Sequence, residues 1–71
     1  MSPRAIAIHL NGAVRAVPAA CRVAELLEAL GYGGKRVAVE LNGQIVPKSH
    51  YGSVGLRADD QVEIVVAVGG G

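Results

Sequence analysis

Apolar residues recur along this chain first with period two, then with helical spacing, then with period two again. Arg4-Ala5-Ile6-Ala7-Ile8-His9-Leu10 alternates, with Ile6, Ile8 and Leu10 on one side and Ala5, Ala7 and His9 on the other. Asn11-Gly12 follows, a strong hairpin signal because both turn positions need positive φ. Residues 13–17 read as the returning strand, ended by Pro18. Its register stays open, since Val14/Ala16 and Arg15/Val17 both make plausible inward pairs. From Arg22 to Leu30 the spacing turns helical, and Val23, Leu26, Leu27 and Leu30 form one stripe. Gly31 suits a left-handed C-terminal cap. Arg22 stands where a capping box wants Ser or Thr three residues before Glu25, so the helix is expected to lean on packing. Val37 to Leu41 alternates again, Asn42-Gly43 makes a second hairpin turn, and residues 44–46 return briefly to Pro47. An irregular connection over 48–57 and a turn at 58–61 lead to a last strand. There Val62, Ile64, Val66 and Val68 face one way, and Glu63, Val65 and Ala67 the other.

The predicted order is hairpin, helix, hairpin, loop, strand. One helix packed on one face of a mixed sheet buries all of these stripes. The last strand is the most apolar and suits the sheet centre, with the first strand running parallel beside it. This is an α+β chain of the β-grasp, or ubiquitin-like, architecture, with four to five strands. Residues 1–71 read as a single domain with a flexible glycine tail at 69–71.

Composition narrows the function. Half of the 71 residues are apolar but only Tyr32 and Tyr51 are aromatic, so Val, Leu, Ile and Ala must fill the core. A net charge of +1 with mixed signs gives no strong nucleic-acid footprint. One cysteine cannot form an internal disulfide, no apolar run approaches a membrane span of about 20 residues, and the N-terminus carries no signal-peptide pattern. The expected compartment is the cytoplasm.

An internal catalytic set is not apparent, and the chain is expected not to be an enzyme. Cys21 reads as a packing residue and His9 as a surface residue near a strand end. His50 stands alone in a loop beside Lys48 and Tyr51, too few ligands for zinc. Asp59-Asp60 reads as turn-forming rather than metal-binding. Lys35, Arg36, Lys48 and Arg57 are candidates for a basic edge that steers a partner. The outer sheet face is more informative. Ala5, Ala7, Ala38, Val65 and Ala67 should point away from the helix, where such sheets usually carry polar groups. A contiguous apolar face rimmed by Arg15, Glu40 and Glu63 is therefore the expected docking surface.

The run Val62–Val68 feeds Gly69-Gly70-Gly71. Glycine weakens strands and is costly to order, so these residues are expected to be unstructured when free. Three glycines can lie extended in a channel no wider than a backbone, and the Gly71 carboxylate could be handed to another protein's active site. The plainer alternative is a frayed terminus.

The chain resembles the ThiS family of sulfur carriers in thiamin biosynthesis over nearly its whole length. The matching stretches are Leu10-Asn11-Gly12, Val23 to Leu27, Val37 to Pro47, and Asp60 to Val65 followed by Val68-Gly69-Gly70-Gly71. Asn42-Gly43-Gln44-Ile45-Val46-Pro47 and the glycine end are the specific parts. Arg22 departs from the usual Thr or Ser at the helix start, and Asp59 stands where Gly is common.

The resemblance implies a mechanism. An ionised carboxylate is a poor electrophile. A ThiF-like adenylating enzyme would let the Gly71 carboxylate attack ATP, giving an acyl-adenylate. Sulfur from a persulfide donor would convert Gly71 to a thiocarboxylate, which donates sulfur to thiazole synthase. ATP and Mg2+ belong to the adenylating partner, and this chain binds no cofactor of its own. It acts as a monomeric co-substrate, without nucleic acid or membrane. The alternatives are a MoaD-like carrier of molybdopterin synthesis and a non-covalent β-grasp interaction module. The latter would need no glycine terminus, and without Phe or Trp it is poorly equipped to stack bases.

Overall fold

The computed structural model describes residues 4–67. Strands β1 (Ala5–Leu10) and β2 (Ala13–Pro18) form the first hairpin, helix α1 (Val23–Ala29) follows, and β3 (Val37–Leu41) and β4 (Gln44–Val46) form the second. A short 3-10 turn at Lys48–His50 precedes β5 (Gln61–Val66). The five strands make one sheet in the order β2-β1-β5-β3-β4. β5 is central, parallel to β1 and antiparallel to β3, as the apolar content of the last strand predicts. The fold is the β-grasp.

Both turns are built alike. Asn11 and Gly12 have φ of 50° and 85°, and Asn42 and Gly43 have φ of 51° and 84°. Positive φ at both central positions matches the right-handed twist of the strands they join. The first turn settles the open register of β2. Ile6 pairs with Val17 and Ile8 with Arg15, and Val17 is buried while Val14 is exposed. The inward pair is thus Arg15/Val17, with Arg15 exposed at the sheet edge.

The core lies between the sheet and α1. Ile8, Val23, Leu26, Val39 and Val62 are almost fully buried, joined by Val17, Leu27, Val46, Ile64 and Leu56. Cys21 is buried with them, as a packing residue should be. A seven-residue helix is too short to persist alone, so its ends and its packing must hold it. At the C-terminus the Gly31 N–H donates to the Glu28 carbonyl and the Tyr32 N–H to the Leu27 carbonyl. With Gly31 at φ 81° this is a Schellman cap.

The N-terminus corrects the expectation of an uncapped helix. The Glu25 carboxylate accepts the Arg22 N–H at 2.8 Å, the reciprocal half of a capping box. The connection after β4 supplies the rest. The Val54 carbonyl accepts the Val23 N–H, the Tyr51 carbonyl accepts the Ala24 N–H, and the Arg22 guanidinium donates to the Gly52 carbonyl. Arginine therefore replaces the usual short capping residue by tying the helix start to a loop. Leu56, 3% exposed, anchors that loop in the core, and its N–H bonds to the Cys21 carbonyl.

Candidate functional site

Every expected docking residue is exposed: Ala5 and Ala7 on β1, Ala38 on β3, Val65 on β5 and Ala67 just after it. They do not, however, make one continuous face. β1 meets β5 only at His9/Gln61 and Leu10/Val62. The Ala7 carbonyl instead accepts the N–H of Asp59, six residues before Val65. At the rise of a strand that offset places Ala7 and Val65 about 20 Å apart along the sheet. Parallel pairing shifts β1 toward the start of β5, so its alanines lie at the opposite end of the sheet from Val66 and Ala67. Ala5 and Ala7 pair with Pro18 and Ala16, forming a separate patch on the first hairpin.

The second patch lies at the C-terminal end of β5. Ala38 pairs with Val65, which is 65% exposed. One step back along the strands Glu40 pairs with Glu63, and Glu40 also pairs with Ile45 on β4. The two carboxylates were expected at the rim, but they sit mid-sheet and divide the surface. Like charges directly opposite each other weaken a sheet. Ile45, also 65% exposed, is a docking candidate that alternation alone does not reveal. Its position was nevertheless countable: a two-residue turn at Asn42-Gly43 puts Leu41 opposite Gln44 and Glu40 opposite Ile45. A shallow groove runs over this patch, lined by Asn11, Ala38, Glu40, Ile45, Glu63 and Val65.

Two side chains hold β5 in place there. The Asn11 Oδ1 accepts the Ile64 N–H at 2.8 Å and its Nδ2 donates to the Ile64 carbonyl at 3.3 Å. Asn11 so continues the ladder past the point where β1 ends. Asn42 does the same at the other end of β5, where its Oδ1 accepts the Gln61 N–H and its Nδ2 donates to Asp60. Asp60 also accepts the Arg57 N–H, and Asp59 has φ 69°, so both acids are turn-forming as expected.

The basic residues separate. Lys35, Arg36 and Lys48 line one groove with Tyr51, while Arg57 lies at the start of β5. The Ala67 N–H donates to the Arg36 carbonyl at 3.0 Å, so the last described residue is held beside that groove. The tail residues Gly69, Gly70 and Gly71 lie outside the described residues. Burial, and secondarily the charge of Glu25, raises the Cys21 thiol pKa, so the thiol is a poor nucleophile at neutral pH. Among the described residues, no three His, Cys, Asp or Glu side chains come together as a metal site would need, and no helix is long and apolar enough to cross a membrane.

Comparison with known proteins agrees with this geometry. A thiazole synthase of Magnetococcus marinus is 44% identical over 64 residues, covering 90% of this chain and 20% of that protein. A thiazole synthase of Paramagnetospirillum magneticum is 45% identical over 62 residues, covering 87% of this chain and 19% of that protein. The chain thus spans about a fifth of the length of these relatives. The crystal structure of the thiamine biosynthesis protein ThiS from Geobacter metallireducens superposes with a TM-score of 0.79 at 30% identity. That likeness covers 93% of this chain and all of the other. The ThiS family model matches residues 8–71, from the inward-facing Ile8 through the last glycine, and on that match the chain belongs to the ThiS family.

Proposed function

We propose that this chain is a sulfur carrier for the thiazole moiety of thiamin, with the Gly71 carboxylate as its reacting group. The observation that carries the reading is the family match, which runs through the glycines to residue 71. In this mechanism the carboxylate attacks the α-phosphorus of ATP in a ThiF-like adenylating enzyme, and pyrophosphate leaves. The terminal sulfur of a persulfide donor then attacks the adenylate carbonyl and AMP leaves, giving an acyl disulfide. A thiol of the partners attacks the donor-side sulfur, breaks the S–S bond and leaves as a disulfide with the donor, so that Gly71 carries a thiocarboxylate. That sulfur is a good nucleophile for thiazole synthase. Each step occurs in a partner's site. The carrier contributes a recognised body and an end without side chains.

Similarity to part of two thiazole synthases supports a functional link to that enzyme. The patch of Ala38, Val65 and Ala67, with Ile45 beside it, is the preferred docking surface because it adjoins the C-terminal end of β5, the side from which Gly71 is reached. Ala5 and Ala7 form a second, more distant contact region.

The test is intact mass of the chain after incubation with a ThiF-like enzyme, ATP, Mg2+, a persulfide source and a thiol reductant. Replacement of one oxygen by sulfur at Gly71 is the expected product. A chain that gains no sulfur with active partners would refute the reading.

A further inference from the structure

We infer that the groove of Lys35, Arg36 and Lys48 is a docking site for carboxylates on the rim of the partner channel that takes the glycine tail. The inference rests on the proposed carrier function and extends it to a surface that function does not use.

Three observations converge. First, Lys35 and Arg36 precede β3, and Lys48 opens the 3-10 turn after β4, yet the fold brings all three to one groove of about 220 Å³. Among the described residues, no acidic side chain lines it. The Glu28 carboxylate lies against Gly33, one residue before the groove-lining Gly34, and is not itself part of the lining. The other cations are arranged differently: Arg57 stands next to Asp59 and Asp60 in sequence, and Asp60 accepts its N–H. Second, the groove is built rather than incidental. The Tyr51 hydroxyl donates to the Val37 carbonyl across it, and Tyr51 itself packs against the core. Third, the Arg36 carbonyl holds the N–H of Ala67, the last described residue before the tail.

The third observation makes the contact hard to avoid. Gly71 lies four residues beyond Ala67, so a fully extended tail reaches about 13–14 Å. A partner that brings Gly71 to a buried reaction centre must use most of that reach. Its channel mouth then presses against the tail's base, where the three cations stand. Arginine can hold a carboxylate through two parallel hydrogen bonds, and lysine adds attraction without a fixed geometry. Such rim charges act mainly on encounter and orientation. Complementary acids at the mouth would guide the tail in and reject other surfaces.

The test measures carrier-dependent ATP–pyrophosphate exchange, with full-length chain and a ThiF-like enzyme, as a function of carrier concentration and salt. The variant is Lys35→Glu/Arg36→Glu/Lys48→Glu, compared with wild type. The reversal of the three cations is expected to raise the KM for carrier at least about tenfold, leave kcat within about twofold, and flatten the salt dependence. A milder variant, Lys35→Gln/Lys48→Gln, should raise KM severalfold, which covers the case in which the triple variant does not fold. Unchanged KM in a folded variant overturns the inference while leaving the carrier function intact. A fall in kcat at constant KM also overturns it, since the cations would then act on nucleotide phosphates and not on the partner's rim. If wild-type chain supports no exchange, the carrier reading itself fails.

Discussion

Asn11 and Asn42 each serve a turn and a strand at once. Both adopt positive φ in a hairpin, and both bond through the side-chain amide to β5 or its approach. The turn role is legible from the Asn-Gly pairs. The clamp is not, because Ile64 is 53 residues from Asn11. The two roles can be separated. Asn11→Gly keeps the backbone freedom but removes the amide, and it should cost about 1–2 kcal/mol. For a domain of this size that lowers the melting temperature by roughly 4–16 °C. Unchanged melting would show that water replaces the amide without loss. Asp59 gives the opposite case. Its φ of 69° explains why glycine suits this place. A non-glycine residue there bears a steric cost of about 1–2 kcal/mol, partly offset by the greater entropy of unfolded glycine. Asp59→Gly should therefore leave stability unchanged or raise it by up to about 1 kcal/mol. A clear fall in melting temperature would assign the Asp59 carboxylate a bond of its own.

Among the elements, α1 and β5 depend most on their surroundings. The stripe Val23, Leu26, Leu27 marks α1 in the sequence and is its buried face. Its capping partners are not visible there, because they are carbonyls of Tyr51, Gly52 and Val54 in a connection that shows no period. For β5 the alternation gives the face of each described residue from Val62 to Ala67 correctly, and Val68 lies outside the described residues. Val62 and Ile64 are buried and Val65 is exposed. Ile64→Asp should unfold the domain, since an unpaired charge would enter the core. Val65→Asp should change stability by about 0.5 kcal/mol or less, as exposed substitutions do. It should nonetheless weaken binding to the adenylating enzyme and to thiazole synthase, because docking would desolvate the new carboxylate. Melting curves and affinities for both variants decide this. Early melting of Val65→Asp would place it in the core, and normal binding by a stable Val65→Asp would remove the patch from the interface.

At the level of the whole molecule, the proposed carrier function requires the Gly71 carboxylate to be delivered to a fixed point in another protein. Deleting Gly71, or adding a residue after it, should abolish thiocarboxylate formation while melting stays at the wild-type value. One residue moves the reacting group about 3.3 Å, beyond productive attack geometry. Gly70→Val should slow adenylation strongly, also without a change in melting, because a side chain enters a channel sized for backbone. Intact mass and exchange rates provide the readout. Normal reaction of Gly70→Val would mean that the channel is wide.

By itself the sequence determined what is local. Period two, helical spacing, Asn-Gly and a glycine cap are short-range patterns, each dictated by the conformation of a few neighbouring residues. From them follow the element order, the central position of β5, the exposed or buried face of each strand residue on β1, β3 and β5, and the resemblance to ThiS carriers. The tertiary structure decided how far those strands slide past one another. It split the expected apolar face into two, because β1 pairs with β5 only at His9 and Leu10 and so carries Ala5 and Ala7 away from Val65. It set Glu40 against Glu63, capped the helix with a distant loop, and gathered Lys35, Arg36 and Lys48 beside Ala67. Alternation says which side of a sheet a residue occupies. Which residues stand next to it on that side depends on strand offset and on loop paths, and both are fixed by long-range hydrogen bonds and core packing.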